Sequence, residues 1–166
     1  MPEVSNPKLK FLDGPDETTR IAMGTGTLCV KNLHLAMPER EILMELRADC
    51  GLWCVPGGRM KVGETLKQTV IRETLEETGI NIKVLGIFAI YSDPKLGTVR
   101  HYTDDDYSQQ AVDIFLLSEP IGGELTKSDE SLDVAWFKMR NLPDNMVPTL
   151  RNATADYVSH PFPIIK

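Results

Sequence analysis

No run in the 166-residue sequence approaches the about 18 consecutive apolar residues of a membrane-crossing helix. The opening stretch MPEVSNPKLK also lacks the continuous apolar core of a secretory signal, so neither a membrane span nor export is expected, and the cytoplasm is the default compartment. Cysteine is scarce: Cys29, Cys50 and Cys54 are an odd count without C-x-x-C spacing. That argues against a disulfide framework and a four-ligand zinc site, and leaves three reduced, partly buried small side chains. Positive charge is in deficit, 18 Lys and Arg against 24 Asp and Glu, for a net charge of −6. The sign is wrong for a basic surface gripping phosphate backbones, so DNA is not expected as a partner. A polyphosphate substrate stays open, because a bound divalent cation inverts the local charge of a carboxylate cluster.

Several catalytic signatures are also missing. There is no G-x-S-x-G, and His34, His101 and His160 are too scattered for H-E-x-x-H. Glu64 stands where a P-loop needs lysine, and Cys29 interrupts the G-x-G-x-x-G pattern begun at Gly24. Kinase, motor and dinucleotide-binding readings are therefore disfavoured.

What is present describes one folded domain, with 42% apolar and 25% charged residues. Residues 1–18 are polar and proline-bearing and read as an extended arm; residues 19–166 read as a single domain without repeats or linkers. TTRIAMGTGTLCVKN has the β-branched content of a core strand, and EILMELRADCGLWCV reads as two short strands around a turn at Ala48 to Gly51. A Pro56-Gly57-Gly58 break then precedes ETLKQTVIRETLEET, residues 64–78, rich in helix formers and free of Gly and Pro, with Gly79 placed to end it. Beyond it, INIKVLGIFAIYSD, AVDIFLLSE and VAWFKM read as strands. PKLGTVRHYTDDDYSQQ reads as a long loop or hairpin, and NMVPTLRNATADYVSH as a second helix with apolar positions at Met146, Leu150 and Tyr157.

The residues 64–78 helix carries an arrangement that local physics disfavours. At about 100° per residue, Glu73, Glu76 and Glu77 share a sector of roughly 100°. They repel one another, and acids in the last turn oppose the helix dipole by about 0.3–1 kcal/mol each. Arg72 lies four before Glu76, the weaker ion-pair orientation. A solvated acidic face is one explanation; a hard divalent cation is the other, since Mg²⁺ takes carboxylate oxygens and keeps waters and phosphate oxygens as its remaining ligands.

The surrounding spacing favours the cation. Gly58 is followed after five residues by Glu64, and after seven more by Arg72-Glu73-Thr74-Leu75-Glu76-Glu77-Thr78-Gly79-Ile80. This run resembles the Nudix box, G-x5-E-x7-R-E-U-x-E-E-x-G-U, with every fixed Gly, Glu and Arg in register. Thr74 departs from the usual aliphatic residue, and weaker packing rather than lost chemistry is expected there. Arg47, Gly51, Trp53 and Pro56-Gly57-Gly58 resemble the family's approach to the box, and Trp136-Phe137 its closing strand.

The resemblance implies an α/β protein of the Nudix fold, an α/β/α sandwich with a mixed β-sheet. It implies a metal site of Glu73, Glu76, Glu77 and the carbonyl of Gly58, filled by Mg²⁺ with Mn²⁺ able to substitute, and Arg72 as support for the glutamates. Glu64 is expected in a supporting or capping role. An acid before the closing strand, Glu130, joins Glu73 and Glu77 as a candidate general base. Arg47 and Tyr91 are the substrate-binding candidates, with Phe88, Tyr102 and Tyr107 as further stacking residues.

The implied reaction is hydrolysis of a diphosphate bond in a nucleoside diphosphate linked to another group. ADP-ribose or an ADP-sugar is slightly favoured, because Pro94 follows the box at the distance seen in similar enzymes. A nucleoside triphosphate pyrophosphohydrolase of MutT-like type and a non-catalytic nucleotide sensor are the alternatives. Homodimers are common among such proteins, though no apolar stripe here predicts one.

Overall fold

The computed structural model describes residues 7–166. Nine strands and two α-helices follow in the order β1 (Leu9–Phe11), β2 (Arg20–Lys31), β3 (Glu41–Arg47), β4 (Trp53–Cys54), α1 (Leu66–Thr78), β5 (Ile80–Tyr91), β6 (Val99–Tyr102), β7 (Tyr107–Gly123), β8 (Ser131–Lys138), α2 (Pro148–Ser159) and β9 (Ile164–Ile165). All nine strands join one mixed sheet.

Its spine is the parallel pairing of β2 with β7, in register from Arg20 opposite Gln109 to Cys29 opposite Ser118. β5 runs antiparallel along the other edge of β7, and β6 pairs with β7 near its start. The end of β2 turns over to β3, which also pairs with β4 and β8. The period of two along these strands sorts side chains onto two faces. Leu28, Val30, Ile42, Met44 and Phe115 pack with Leu150, Ala153 and Tyr157 of α2. Their chain neighbours Cys29, Leu43 and Leu116 pack with Val70 of α1. One helix therefore covers each face, which is the expected α/β/α sandwich.

Helix α1 starts at Leu66 rather than at Glu64, because Thr65 takes the cap. Its hydroxyl accepts from the Gln68 N–H, and the Gln68 side chain accepts from the Thr65 N–H, a reciprocal capping box. Gly79 ends the helix in the left-handed region, φ 72°, and donates to the Leu75 carbonyl. A Cβ there would stand 2.3 Å from the Glu124 carbonyl oxygen, so both conformation and space demand glycine.

The structure changes or narrows the sequence reading at four points. Part of the expected arm is a strand, β1, which pairs with β6, while residues 1–6 lie outside the described residues. The segment after Pro94 resolves as a hairpin of β6 and β7. β7 continues to Gly123, beyond the AVDIFLLSE run, and β9, too short to carry a pattern, adds to β5. Among the described residues no helix is long and apolar enough to cross a membrane.

Candidate active site

A cavity of about 610 Å³ opens between the start of the sheet and the α1 flank. Gly57, Gly58, Arg72, Glu73, Glu76 and Glu77 wall one part of it, and Arg47 and Glu130 also line it. The acids expected as metal ligands or general base, Glu73, Glu76, Glu77 and Glu130, are thus brought to one cavity. Among the described residues, however, no three His, Cys, Asp or Glu side chains converge as a ready-made ligand cluster.

Arg72 explains why. Its Nε and Nη2 bond both oxygens of Glu64, at 2.6 and 2.9 Å, in a bidentate pair. Nη1 reaches Glu73 at 2.8 Å and Glu76 at 3.1 Å. One guanidinium thereby offsets the repulsion among acids that the helix wheel brings together. Glu64 precedes the helix and folds back over it, accepting also from the Lys61 N–H and the Thr69 hydroxyl. Its hydrogen bonds from Arg72, then from Lys61, lower its pKa to about 2. Its two oxygens hold the Arg72 guanidinium against the helix.

Glu77 lies deeper. Oε2 accepts from the Gly57 N–H at 2.8 Å, and Oε1 takes no hydrogen bond among the described residues. Burial, followed by the nearby Glu45 carboxyl, pushes its pKa well above the usual carboxylate range. Glu45, on β3, is 2% exposed. It accepts from the Ser131 hydroxyl and from the Cys54 thiol at 3.3 Å, and burial raises its pKa too. The sequence reading missed Glu45, although a single acid inside the otherwise apolar run ILMEL was the signal.

Two expectations are corrected. Tyr91 is fully buried; its hydroxyl donates to Asp156 at 2.8 Å and its ring meets Phe115 edge-on, so no substrate reaches it. The Gly58 carbonyl accepts from both the N–H and the hydroxyl of Thr25, at 3.1 and 2.9 Å, which occupies its two lone pairs. The carbonyl of the preceding Gly57 accepts no hydrogen bond among the described residues. Gly58 contributes by lacking a side chain: a Cβ would lie 2.6 Å from Glu73 Oε1. Pro94 opens a short 3₁₀ turn capped by Asp93 and does not line the cavity.

Arg47 stands at the cavity wall with its guanidinium held by Asp49, at 2.8 and 2.5 Å. Glu130 is exposed just before β8, and its side chain makes no ion pair among the described residues. The donors around α1 are oxygens throughout, with no histidine, and Glu77 Oε1 is still unpartnered. That set fits a hard divalent cation and not a thiophilic one.

The comparisons agree with this geometry. A family model for the NUDIX domain matches residues 28–157. The "Putative 8-oxo-dGTP diphosphatase" of Bacillus subtilis (strain 168) is 30% identical over 119 residues, covering 72% of this chain and 72% of its own length. The "ADP-ribose pyrophosphatase" of Methanocaldococcus jannaschii is 34% identical over 93 residues, covering 56% of this chain and 50% of the relative, so the match spans half of that protein. Among solved structures, one described as UDP-X diphosphatase superposes with a TM-score of 0.67 at 17% identity, over 92% of this chain and 70% of the other. An ADP-ribose pyrophosphatase from Streptococcus suis 89-1591 gives 0.59 at 20%, over 86% and 96%. These structures share the fold. With the family model covering most of its length and the acids of the motif lining one cavity, this chain belongs to the NUDIX domain family.

Proposed function

We propose that the chain hydrolyses a diphosphate bond in a nucleoside diphosphate linked to another group, with a divalent cation as cofactor. The observation that carries this reading is the acidic flank of α1, Glu73, Glu76 and Glu77, exposed to a nucleotide-sized cavity and braced by Arg72. Glu73, Glu76 and Glu77 would hold Mg²⁺ or Mn²⁺, with the free carbonyl of Gly57 beside them in place of Gly58. Such an ion, when bound, neutralises phosphate oxygens and acidifies the attacking water.

The protein's own groups do the rest. Arg47, Arg59 and Lys61 line the same cavity and offer positive charge to the phosphate chain. Arg72 keeps Glu73 and Glu76 in place without occupying Glu77. Of the candidate bases, Glu73 is tied to Arg72 and Glu77 is buried, so Glu130, free of ion pairs at the cavity wall, is the proton acceptor in this reading.

ADP-ribose or an ADP-sugar is the first substrate class, in keeping with the archaeal relative's name. A nucleoside triphosphate is the second, favoured by the name of the Bacillus relative, which matches more of the chain. A panel of ADP-ribose, ADP-sugars and nucleoside triphosphates with Mg²⁺ or Mn²⁺, followed by identification of the products, separates them. Release of a nucleoside monophosphate from the diphosphate-linked substrates supports the first class; pyrophosphate from triphosphates supports the second. Nucleotide binding without any product would reject hydrolysis in favour of sensing.

A further inference from the structure

Away from the α1 flank, the same cavity is walled by β1, β2, β6 and β7, and the metal chemistry uses none of these residues. Gln109, Ala111, Asp113 and Phe115 alternate onto one face of β7. Arg100 on β6 stands opposite Gln109, with Phe11 of β1 on its other side. Ala111, the small residue between Gln109 and Asp113, leaves Arg100 room to lie along β7, and its Nη2 donates to Asp113 Oδ2. The side chains are 17% and 5% exposed, so both charges are largely withdrawn from bulk water.

A pair withdrawn to this degree is costly unless its remaining hydrogen-bonding capacity is used. No protein group among the described residues uses it. Among the described residues Asp113 Oδ1 accepts nothing, and the only hydrogen bond from the Arg100 guanidinium is the one to Asp113. Gly24, opposite Asp113 in the parallel pairing, keeps that oxygen uncovered; a Cβ there would lie 2.5 Å from Oδ1. Gly24, Arg100 and Asp113 all line the cavity, together with Phe11, Tyr102 and Tyr107.

The occupant must bring a donor for Oδ1 beside an acceptor for the guanidinium. Phosphate brings acceptors alone and is repelled by Asp113. A nucleobase edge has an N–H next to a ring nitrogen or carbonyl oxygen, the N–H being exocyclic in adenine and in the ring in hypoxanthine or uracil, and its plane suits the aromatic walls. We propose that Asp113 and Arg100 form a base-edge subsite for a nucleobase carrying an N–H beside an acceptor, with the N–H donating to Asp113 Oδ1 and the neighbouring acceptor accepting from Arg100. This deepens the nucleotide reading above and rests on it for the placement of the phosphates.

The test is calorimetric binding of ADP and IDP against the 5′-diphosphate of purine riboside, whose base has no N–H, a readout independent of turnover. At least one of ADP and IDP should bind about 10–100-fold more tightly than the purine riboside diphosphate, because a bare carbon leaves the carboxylate unpaired. Asp113→Asn, whose amide also donates, should shrink that ratio to about threefold or reverse it. Gly24→Ala, which pushes a methyl onto Oδ1 without removing charge, should weaken the same preference from the β2 side. Should Asp113→Asn fail to fold, the wild-type ratio and Gly24→Ala decide. Equal binding of all three nucleotides, or a preference that survives both substitutions, would overturn the subsite. So would base-independent binding that is lost with 2′-deoxynucleotides, which would give the pair to the sugar. A clear preference for the N–H-bearing bases without turnover would reject hydrolysis while leaving the subsite standing.

Discussion

Arg72 carries more of the site than its place in the motif suggested. From the sequence, the crowding of Glu73, Glu76 and Glu77 pointed to a missing cation, with Arg72 as a weak helical partner. In the folded chain Glu64 returns to the helix and fixes Arg72 in a bidentate pair, and the same guanidinium reaches Glu73 and Glu76. No helix wheel shows this, because Glu64 lies outside the helix. Glu73 and Glu76 are therefore held by Arg72 rather than splayed. Thr74 shows a similar economy. It is fully buried, and its hydroxyl donates to the Val70 carbonyl at 2.6 Å, so the methyl packs while the polar group is satisfied within the helix. Thr74→Val removes a hydroxyl whose acceptor is a helix carbonyl, and should change stability by less than about 1 kcal/mol, in the stabilising direction, without altering turnover. Thermal unfolding of the variant checks the first statement and steady-state rates the second.

At the scale of elements, α1 was legible because it is a local object. Its propensity, cap region and terminal Gly79 sit within one short window. The central strands were legible through their β-branched runs. β1, β6 and β9 were not, since each has four residues or fewer and owes its strand state to pairing with a distant partner. Tyr91 was misread for a related reason: an aromatic in a strand gives no sign of which face it occupies until α2 covers it. The C-terminal segment is fastened there by Asp156, which accepts from Tyr91 at 2.8 Å and from Lys166 at 2.7 Å. Burial opposes ionisation of Asp156, but these bonds outweigh it and hold its pKa below the ordinary value. A depressed carboxylate pKa gives stability that is full above the unfolded value, about 3.9, and is lost as pH falls through the folded value. Asp156→Asn should therefore cost about 1–3 kcal/mol at neutral pH. It should also flatten the loss of stability below about pH 4. Denaturant unfolding from pH 3 to 7 measures both; an unchanged midpoint at pH 7 would show that the fastening is unimportant.

Across the whole molecule, the cavity gathers side chains from segments far apart in the chain. β1 supplies Leu9 and Phe11, β2 Gly24, α1 the acids, β6 and β7 the Arg100–Asp113 pair, and the residue before β8 supplies Glu130. The acid half is one contiguous motif, which is why spacing alone located it. The other half exists only once β2 and β7 are in parallel register, and no sequence window contains it. The two halves should separate in kinetics. Phe11→Ala removes an aromatic wall that also lies beneath Arg100, at 6.0 Å. It should raise KM by about tenfold with kcat nearly unchanged, as expected for a group that binds substrate without touching the reacting phosphate.

The central claim, that the α1 flank binds a divalent cation, is most directly tested by titrating Mn²⁺ into the protein and following the loss of free-ion electron paramagnetic resonance signal, with and without a nucleoside diphosphate. The wild type should take up Mn²⁺, more tightly when nucleotide is present. Glu73→Gln and Glu76→Gln should each weaken that uptake by about 100-fold or more while the protein stays folded. Uptake equal in wild type and both variants, or none even with nucleotide bound, would contradict the account.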